Sequence, residues 1–372
     1  MSQRWVGCDV EDHFFGDDRK LFKQDRKIAS AKDRSKYKKT DRNKLQPKQI
    51  DLTDKNILKG RVLSILPEGI VVEHEHEQFI CSLKGLLKKE RGQHKNLVTV
   101  GDIVNFSKVD SKEGIIVHVD PRRSVLSRAD NLHRRKEQLI AANIDQVIIT
   151  VSLVEPPLKT AIVDRYIIAA QKGNMAPIIA VNKLDLLSNP SYDTVLVESQ
   201  REIYEDMCEI YPSLGILVIG LSAFDKEGIE RLKEVMKDKT SAFSGQSGVG
   251  KTSLINATTG LNLSVGPIVE KTKKGAHTTS TANLIPLPNG GWCIDTPGIK
   301  SFGVWDLDRE EIEHYFSEIF ETGHQCHFPD CTHTHEVNCA VHKAVEEGKI
   351  SLLRFESYLA LIASLSSEHK RR

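Results

Sequence analysis

The chain has 372 residues, of which 39% are apolar and 28% charged, and its formal net charge is +1. This length can hold two or three domains, and this balance excludes collagen-like and wholly disordered proteins. There is no run of about eighteen apolar residues and no apolar stretch typical of a secretory signal. Seven cysteines in a long chain fit a reducing compartment better than a disulfide framework. We therefore expect a cytoplasmic protein without a membrane segment, and a monomer.

The charges are distributed unevenly along the chain. Residues 17–49 contain 13 Lys or Arg against 5 Asp or Glu, with very few apolar residues between them. This composition predicts a flexible basic arm, which we assign to residues 1–50. Two alternatives stay open for it: a solvated tail, or an arm that binds a polyanion by releasing counterions from its phosphates.

The next part of the chain predicts a small β-barrel, assigned to residues 51–122. Short Val- and Ile-rich runs separated by Gly and Pro occur in GRVLSIL, IVVEHEHEQFICSL, GDIVNFSKV and GIIVHVD. The run EHEHE, Glu73 to Glu77, could be imagined as a metal site, but alternating polar residues more often form the solvent-facing side of a strand. A basic connector, PRRSVLSRADNLHRRKEQ, follows the barrel.

From residue 145 onward, apolar strands alternate with helical patterns. The strands are DQVIITVSL, APIIAVNKLDLL, GILVIGLSA and TSAFSG, and the helices between them are TAIVDRYIIAAQKGN, DTVLVESQREIYEDMCEIY and GIERLKEVMKDK. This alternation predicts right-handed crossovers and a mostly parallel sheet with helices on both faces. Further on, Asn289-Gly290 predicts a hairpin, DREEIEHYFSEIFET predicts one helix, and residues 340–369 look largely helical.

Residues 245–253, GQSGVGKTS, match the phosphate-binding pattern G-x-x-x-x-G-K-[ST]. Glycines let successive backbone N–H groups point at phosphate oxygens, while Lys251 balances phosphate charge and Thr252 offers a hydroxyl to Mg²⁺. A glycine-rich turn without a ligand is the alternative, but the strand before and the helix after favour a phosphate loop. The predicted nucleotide contacts are Gly245, Gln246, Ser247, Gly248, Val249, Gly250, Lys251, Thr252 and Ser253.

The tetrapeptide NKLD carries the chemistry for reading guanine. The Asp185 carboxylate can accept from the N1–H and 2-amino groups of guanine, whereas adenine would leave it unpaired. Asn182 can hold the base edge and the loop, and the stem of Lys183 can cover the ring. After the next strand, LSA suits a second base contact through a backbone N–H. The predicted base contacts are Asn182, Lys183, Leu184, Asp185, Ser222 and Ala223.

DTPG, Asp295 to Gly298, closes an apolar strand and predicts contacts to Mg²⁺ and the γ-phosphate. Asp295 would hold Mg²⁺ through a water, and the Gly298 N–H would meet the phosphate. Ile299 follows, where many GTPases carry a glutamine that positions the attacking water. Isoleucine cannot do this, so hydrolysis requires another group.

The segment GAHTTS, between the phosphate loop and DTPG, offers candidates for that group. Either Thr278 or Thr279 could complete the Mg²⁺ shell. His277 could orient the attacking water or be an ordinary loop histidine, and the two alternatives stay open.

The order of these motifs is unusual. An ordinary GTPase begins with the phosphate loop and ends with the base motifs, whereas here NKLD and LSA come first. Rotating the order restores the usual arrangement, so the sequence predicts a circular permutation, which proteins tolerate when their termini lie close together. We assign the permuted domain to residues 123–304.

Cysteines crowd into CHFPDCTHTHEVNC near the end of the chain. Cys326, Cys331, His333 and Cys339 have the spacing C-x4-C-x-H-x5-C, and three thiolates with one imidazole make a closed tetrahedral shell typical of structural zinc. His335 or His327 could replace His333, and reduced cysteines without metal are the alternative. We assign this domain to residues 305–372.

Together, the barrel, SRAD, NKLD, GQSGVGKTSLIN, HTTS, CIDTPGIKSFG and the cysteine cluster resemble the RsgA-type small-subunit-dependent GTPases over residues 55–365. The resemblance implies a multidomain fold: an N-terminal OB-fold β-barrel, an α/β circularly permuted P-loop GTPase domain and a mainly helical zinc-binding C-terminal domain. It also implies GTP/GDP with Mg²⁺, one structural Zn²⁺, and the small ribosomal subunit with its 16S-type rRNA as partner. In that family the histidine of the threonine loop, here His277, is considered the water-positioning group.

Two other functions remain as alternatives at this point. The first is an RNA-binding assembly factor that uses GTP as a passive ordering ligand. The second is a permuted GTPase acting on the large subunit, against which the barrel and the cysteine cluster argue.

Overall fold

The computed structural model describes residues 56–84, 97–129, 137–261, 282–295 and 309–369. The predicted basic arm, residues 1–50, lies outside them. Contacts divide the chain into the units Met1–Leu52 and Thr53–Arg372, and every described element belongs to the second unit. Among the described helices, none is long and apolar enough to cross a membrane.

Five strands form a closed barrel in the order β1-β2-β3-β5-β4, with β4 returning to β1. Neighbouring strands are antiparallel except for β3 and β5, which run parallel. The interior is filled by Val62, Val72, Phe79 and Phe106, which are at most 2% exposed. This arrangement confirms the predicted OB-fold. The strands are β1 (Ile57–Ile65), β2 (Ile70–His74), β3 (Glu77–Leu83), β4 (Ile103–Lys108) and β5 (Glu113–Val119).

The interpretation of EHEHE as one continuous strand face is wrong. Strand β2 ends at His74 and β3 begins at Glu77, with Glu75 and His76 in a turn at φ of 48° and 69°. Two successive residues with positive φ make the tight hairpin turn that matches the twist of the flanking strands. The alternation of acids and histidines therefore crosses a turn rather than following a strand.

The basic connector after the barrel also has regular structure that its composition did not predict. Strands β6 (Val125–Ala129) and β7 (Glu137–Ala142) pair antiparallel in a two-stranded sheet. Leu126 is 1% exposed and belongs to the same apolar core as the central sheet. The buried side chain of Leu126 anchors a segment whose charged residues suggested a linker.

The central sheet has six strands in the order β10-β9-β8-β11-β13-β12, all parallel except for the antiparallel hairpin of β12 and β13. That hairpin turns at Asn289-Gly290 as predicted, and Gly290 has a φ of 87°. The strands are β8 (Gln146–Ser152), β9 (Ala176–Asn182), β10 (Leu217–Gly220), β11 (Thr240–Ser244), β12 (Asn283–Pro286) and β13 (Trp292–Asp295). The helices that accompany it are α1 (Thr160–Lys172), α2 (Thr194–Ser213), α3 (Lys226–Met236) and α4 (Lys251–Thr259).

Helices cover both faces of this sheet, as the alternating pattern predicted. All seven residues of β8 are buried, and successive side chains enter different cores. Val147 and Ile149 pack in the core that includes Ile167 of α1, whereas Ile148 packs in the core that includes Leu232 of α3. A strand buried on both faces needs the continuous apolar run that DQVIITVSL provides.

The C-terminal region is helical, but its first predicted helix is two helices. Phe316 leaves the helical conformation (φ −107°, ψ 75°), and its ring is fully buried 5.5 Å from that of Tyr358. Burial of this aromatic side chain outweighs the continuity of the helix. The helices are α5 (Arg309–His314), α6 (Ser317–Gly323), α7 (Ala340–Glu346) and α8 (Leu352–His369).

A buried charged network joins α8 to α1 of the sheet domain. The guanidinium of Arg354 bonds Asp164 of α1, and its Nε donates to Glu318 Oε1 at 2.7 Å. Tyr211 adds a hydroxyl bond to Asp164 at 3.1 Å. Arg354 and Asp164 have side chains 4% and 0% exposed, so each charge depends on the other for compensation.

Candidate nucleotide site and metal centre

The guanine motif and the phosphate loop are in direct contact. Strands β9 and β11 both pair with β8 in parallel, so their carboxyl ends lie at the same edge of the sheet, where α/β proteins bind ligands. Asn182 ends β9, and its Nδ2 donates to the carbonyl of Val249 at 2.8 Å. This bond spans 67 positions and brings together the two motifs whose order in the sequence is unusual.

Two glycines of the phosphate loop leave space for its neighbours. Gly245 has a φ of 140°, and a Cβ there would lie 2.0 Å from the carbonyl oxygen of Thr150. Gly250 has a φ of 92°, and a Cβ there would lie 2.3 Å from Asn182 Nδ2. Both positions therefore require glycine for conformation and for space.

Lys251 lies at the first position of α4, and its ammonium folds back over the phosphate loop. Its Nζ donates to the carbonyls of Gly245 at 2.8 Å and Gln246 at 2.6 Å. Thr252 and Ser253 occupy the first turn of the same helix, where backbone N–H groups have no partner within the helix and favour an anion.

The two base motifs adjoin each other. The N–H of Leu184 donates to the carbonyl of Leu221 at 3.3 Å, which joins NKLD to LSA. Lys183 has a φ of 64°, and its Nζ donates to the carbonyl of Glu155 at 2.9 Å. Asp185 follows in a single 3-10 turn, Leu184–Ser188, and Ser222, which follows β10, is buried.

The residues of this site fit a nucleotide. Among the described residues, buried Asn182 Oδ1 has no hydrogen-bond partner, so an acceptor faces the site. Gly245 and Gly250 let the phosphate loop lie directly against Thr150 and Asn182, where a Cβ at either position would clash. Asp295 ends β13, which pairs with β11 and therefore reaches the same edge of the sheet. The remaining predicted residues, His277, Thr278, Thr279 and Gly298, lie outside the described residues.

The cysteine cluster brings four donor atoms together. The ligand atoms of Cys326, Cys331, His333 and Cys339 all lie within 4.8 Å of one another. His333 Nδ1 is 3.4 Å from Cys339 Sγ and 3.6 Å from Cys326 Sγ, and these two sulfurs are 3.8 Å apart. Tetrahedral zinc bonds of about 2.3 Å to sulfur and about 2.0 Å to nitrogen imply separations of about 3.5 to 3.8 Å. The cluster is therefore compatible with zinc.

The neighbouring histidines lie elsewhere. His335 Nε2 contacts Thr334 Oγ1 at 3.4 Å, and the ring of His327 packs edge-on against Phe328. His333 is 1% exposed and has a φ of 56°, a left-handed conformation that places its ring among the sulfurs. The geometry thus favours His333 over both alternatives.

Backbone groups also hold the loop that carries the cluster. Burial raises the pKa of the Cys326 thiol, but hydrogen bonds from the N–H groups of Val341 and Ala340 and from the neighbouring thiols lower it more strongly, whereas burial raises the pKa values of Cys331 and Cys339. Glu336 accepts from the N–H groups of Thr332 at 2.8 Å and Thr334 at 2.9 Å, which orders the loop around His333. These partners carry no spacing signal, and sequence reasoning missed them.

Comparisons with known proteins agree with this geometry. The sequence model of the RsgA GTPase family matches residues 119–305. "Small ribosomal subunit biogenesis GTPase RsgA" of Chlorobaculum parvum is 43% identical over 279 residues, covering 73% of this chain and 86% of the relative. The protein of the same name from Chlorobaculum tepidum is 40% identical and covers 84% and 99%. The chain belongs to the RsgA GTPase family.

Solved structures place this RsgA-family fold among permuted GTPases. The crystal structure of YjeQ from Thermotoga maritima has a TM-score of 0.65 at 33% identity, covering 83% of this chain and 98% of that one. YloQ, described as a circularly permuted GTPase, has a TM-score of 0.64 at 26% identity and covers 84% and 96%. The protein is thus a GTP hydrolase with a permuted GTPase domain, and the permutation predicted from motif order is confirmed.

Proposed function

We propose that this RsgA-family GTPase binds the small ribosomal subunit and its 16S-type rRNA, acts late in maturation of that subunit, and hydrolyses GTP faster when bound to it. The observation that carries the proposal is the bond from Asn182 to Val249, which makes one nucleotide site from the permuted motifs. That site shares one compact unit with a closed barrel and a Cys3His cluster. The names of relatives at up to 43% identity support the partner.

The predicted residues take defined roles in binding GTP and GDP. Asp185 reads guanine, the aliphatic part of Lys183 covers the ring, and Ser222 and Ala223 offer a second base contact. The backbone of residues 245–250 and the first turn of α4 hold the phosphates. On binding, Lys251 exchanges its carbonyl partners for phosphate oxygens.

Hydrolysis depends on groups around the γ-phosphate. Mg²⁺ neutralises charge that develops on the phosphate oxygens. Thr252, with Thr278 or Thr279 and Asp295, would hold this ion, and the Gly298 N–H would meet the γ-phosphate. His277 would orient the attacking water, since Ile299 cannot. The subunit accelerates the reaction by ordering the loop that carries His277.

One structural zinc is proposed at Cys326, Cys331, His333 and Cys339. Four protein donors leave no open coordination position, so this metal would stabilise the C-terminal domain rather than take part in hydrolysis. Together with the barrel and the basic arm, that domain would dock on rRNA. The proposed domain limits are 51–122, 123–304 and 305–372, in a monomer that works in the cytoplasm.

The direct test is GTP turnover with and without purified small subunits. We expect subunits to accelerate the wild type and the control variant Lys226→Ala, whose exposed side chain lies at the start of α3 in the GTPase domain. We expect His277→Ala to bind GTP but to lose most of the acceleration. Unchanged turnover of the wild type with bound subunits would contradict the proposal.

Single-turnover hydrolysis distinguishes the proposed function from the alternative, an assembly factor that uses GTP as a passive ordering ligand. If one round of hydrolysis on the subunit is no faster than in solution, with binding intact, the passive function is favoured. If large subunits rather than small ones accelerate it, the partner assignment is wrong.

A further inference from the structure

The two nitrogens of His333 face different surroundings. Nδ1 faces the sulfurs of Cys339 and Cys326 at 3.4 and 3.6 Å. Nε2, on the opposite side of the ring, lies 3.3 Å from Glu313 Oε1. A ring held in this way can offer only Nδ1 to a metal, while Nε2–H donates to the carboxylate.

Helix α5 supplies a second bond to the same loop. Arg309, one turn before Glu313, donates from Nη2 to the carbonyl of Cys331 at 2.5 Å. The helix therefore holds two of the four donor residues, one through its backbone and one through its ring. Glu313 is twenty positions from His333, so no motif spacing reveals this pair.

The end of α6 leaves room for the pair. A Cβ added to Gly323 would lie 3.1 Å from Glu313 Oε1 and 3.2 Å from His333 Nε2. These separations are tighter than ordinary van der Waals contact, so a side chain at this position would press on the carboxylate and the ring. Three elements thus converge on one hydrogen bond: α5, the end of α6 and the cysteine loop.

We propose that Glu313 is the positioning residue of the metal centre, which fixes Nδ1 of His333 as the ligand atom and orients its ring. Carboxylate partners of ligating histidines fix the tautomer and raise the basicity of the metal-binding nitrogen. This inference rests on the proposed zinc site and specifies it further. It also makes α5 the support of that site, and α5 begins at Arg309, shortly after DTPG in the sequence.

The test compares Glu313→Gln with the control Glu310→Gln, which removes the same charge from an exposed position of α5. The readouts are the zinc-to-protein ratio, zinc affinity by chelator competition, and long-range ¹⁵N correlations of the His333 ring in the zinc-loaded chain. We expect Glu313→Gln to bind zinc about 10- to 100-fold more weakly, the usual effect of losing such a partner. The control should match the wild type, whose ring should carry its proton on Nε2.

Gly323→Ala is a second variant, in which helix propensity and crowding of the Glu313–His333 pair predict different results. Alanine favours a helix over glycine, so helix propensity alone predicts a more stable protein with unchanged zinc binding. Crowding of the pair predicts weaker zinc binding by several-fold. This variant keeps the test decisive if Glu313→Gln does not fold.

The possible outcomes distinguish failure of the zinc assignment from failure of the positioning role of Glu313. A wild-type chain that binds no zinc would overturn the metal assignment and the inference with it. A wild type that binds one zinc, with Glu313→Gln and Gly323→Ala retaining wild-type affinity, would overturn the role of Glu313 alone. Zinc bound to Nε2 of His333 instead of Nδ1 would also overturn the role of Glu313.

Discussion

The Cys3His cluster and the nucleotide site differ in where their polar groups point. At the cluster, four donor atoms already converge within 4.8 Å, and the loop that carries them is held by partners such as Glu336. At the nucleotide site, Lys251 donates to carbonyls of its own phosphate loop, and Lys183 donates to the carbonyl of Glu155. The four donors of the cluster are thus already in place, whereas the lysines would have to exchange partners to contact a nucleotide. We expect changes at the first site to act on stability and changes at the second to act on affinity.

Zinc removal should give the largest effect. Structural zinc contributes on the order of 10 kcal/mol in small zinc domains, so Cys339→Ser should abolish hydrogen-exchange protection in residues 309–369. Affinity for a fluorescent GDP analogue should change by less than about tenfold, because no described contact of the nucleotide site involves this module. Equal losses of protection in the central sheet would show that the two regions do not act separately.

Arg354→Met should give the next largest effect. Removing one partner of a buried ion pair leaves the other charge uncompensated, which costs about 3–5 kcal/mol. Chemical denaturation should show this loss. The control Arg165→Met, on α1 beside Asp164, removes only an exposed bond to Ser364 and should cost less than about 1 kcal/mol. Addition of Asp164→Asn to Arg354→Met should restore part of the stability, and a further loss would contradict the explanation.

Lys251→Met should weaken GTP binding without affecting zinc content. Loss of hydrogen bonds to a charged phosphate predicts an affinity lower by up to about 100-fold. Lys226→Met, at the exposed start of α3, is the matched control and should bind as the wild type does. GTP affinity is measured by titration calorimetry. An unaltered affinity in Lys251→Met would contradict the assignment of the phosphate loop to the nucleotide site.

Asp185→Asn should give the smallest effect and change selectivity more than affinity. We expect GTP to bind about tenfold more weakly, which is the lower end of the affinity lost with a hydrogen bond to a charged group. We expect xanthosine triphosphate to bind more tightly. Competition between the two nucleotides measures the change. Unchanged selectivity would contradict the role of Asp185, and Asp193→Asn, at the start of α2, serves as the control.

The sequence predicted those features that depend on local pattern. The continuous apolar run of β8, the glycines of the phosphate loop and the spacing of the cysteines each carry their own physical reason, and the permutation followed from motif order. The fold class of the central domain was predictable because strands and helices alternate between residues 146 and 259.

Features that depend on distant partners were not predictable. Phe316 interrupts a helical pattern because Tyr358 provides a buried aromatic contact that lies far along the chain. Glu75 and His76 turn where the alternation suggested a strand, since nothing in that alternation specifies φ. Glu313 and His333 lie twenty positions apart and meet only after folding, so their contact is not visible in a motif.

Subunit-stimulated turnover of Cys339→Ser tests most directly the central proposal, that the C-terminal domain docks on the small subunit and that docking accelerates hydrolysis. Helix α5 holds the cysteine loop through Arg309, which lies shortly after DTPG in the sequence. We predict that Cys339→Ser binds GTP and keeps its unstimulated turnover but loses most of the acceleration by small subunits. Full acceleration in this variant would contradict the account.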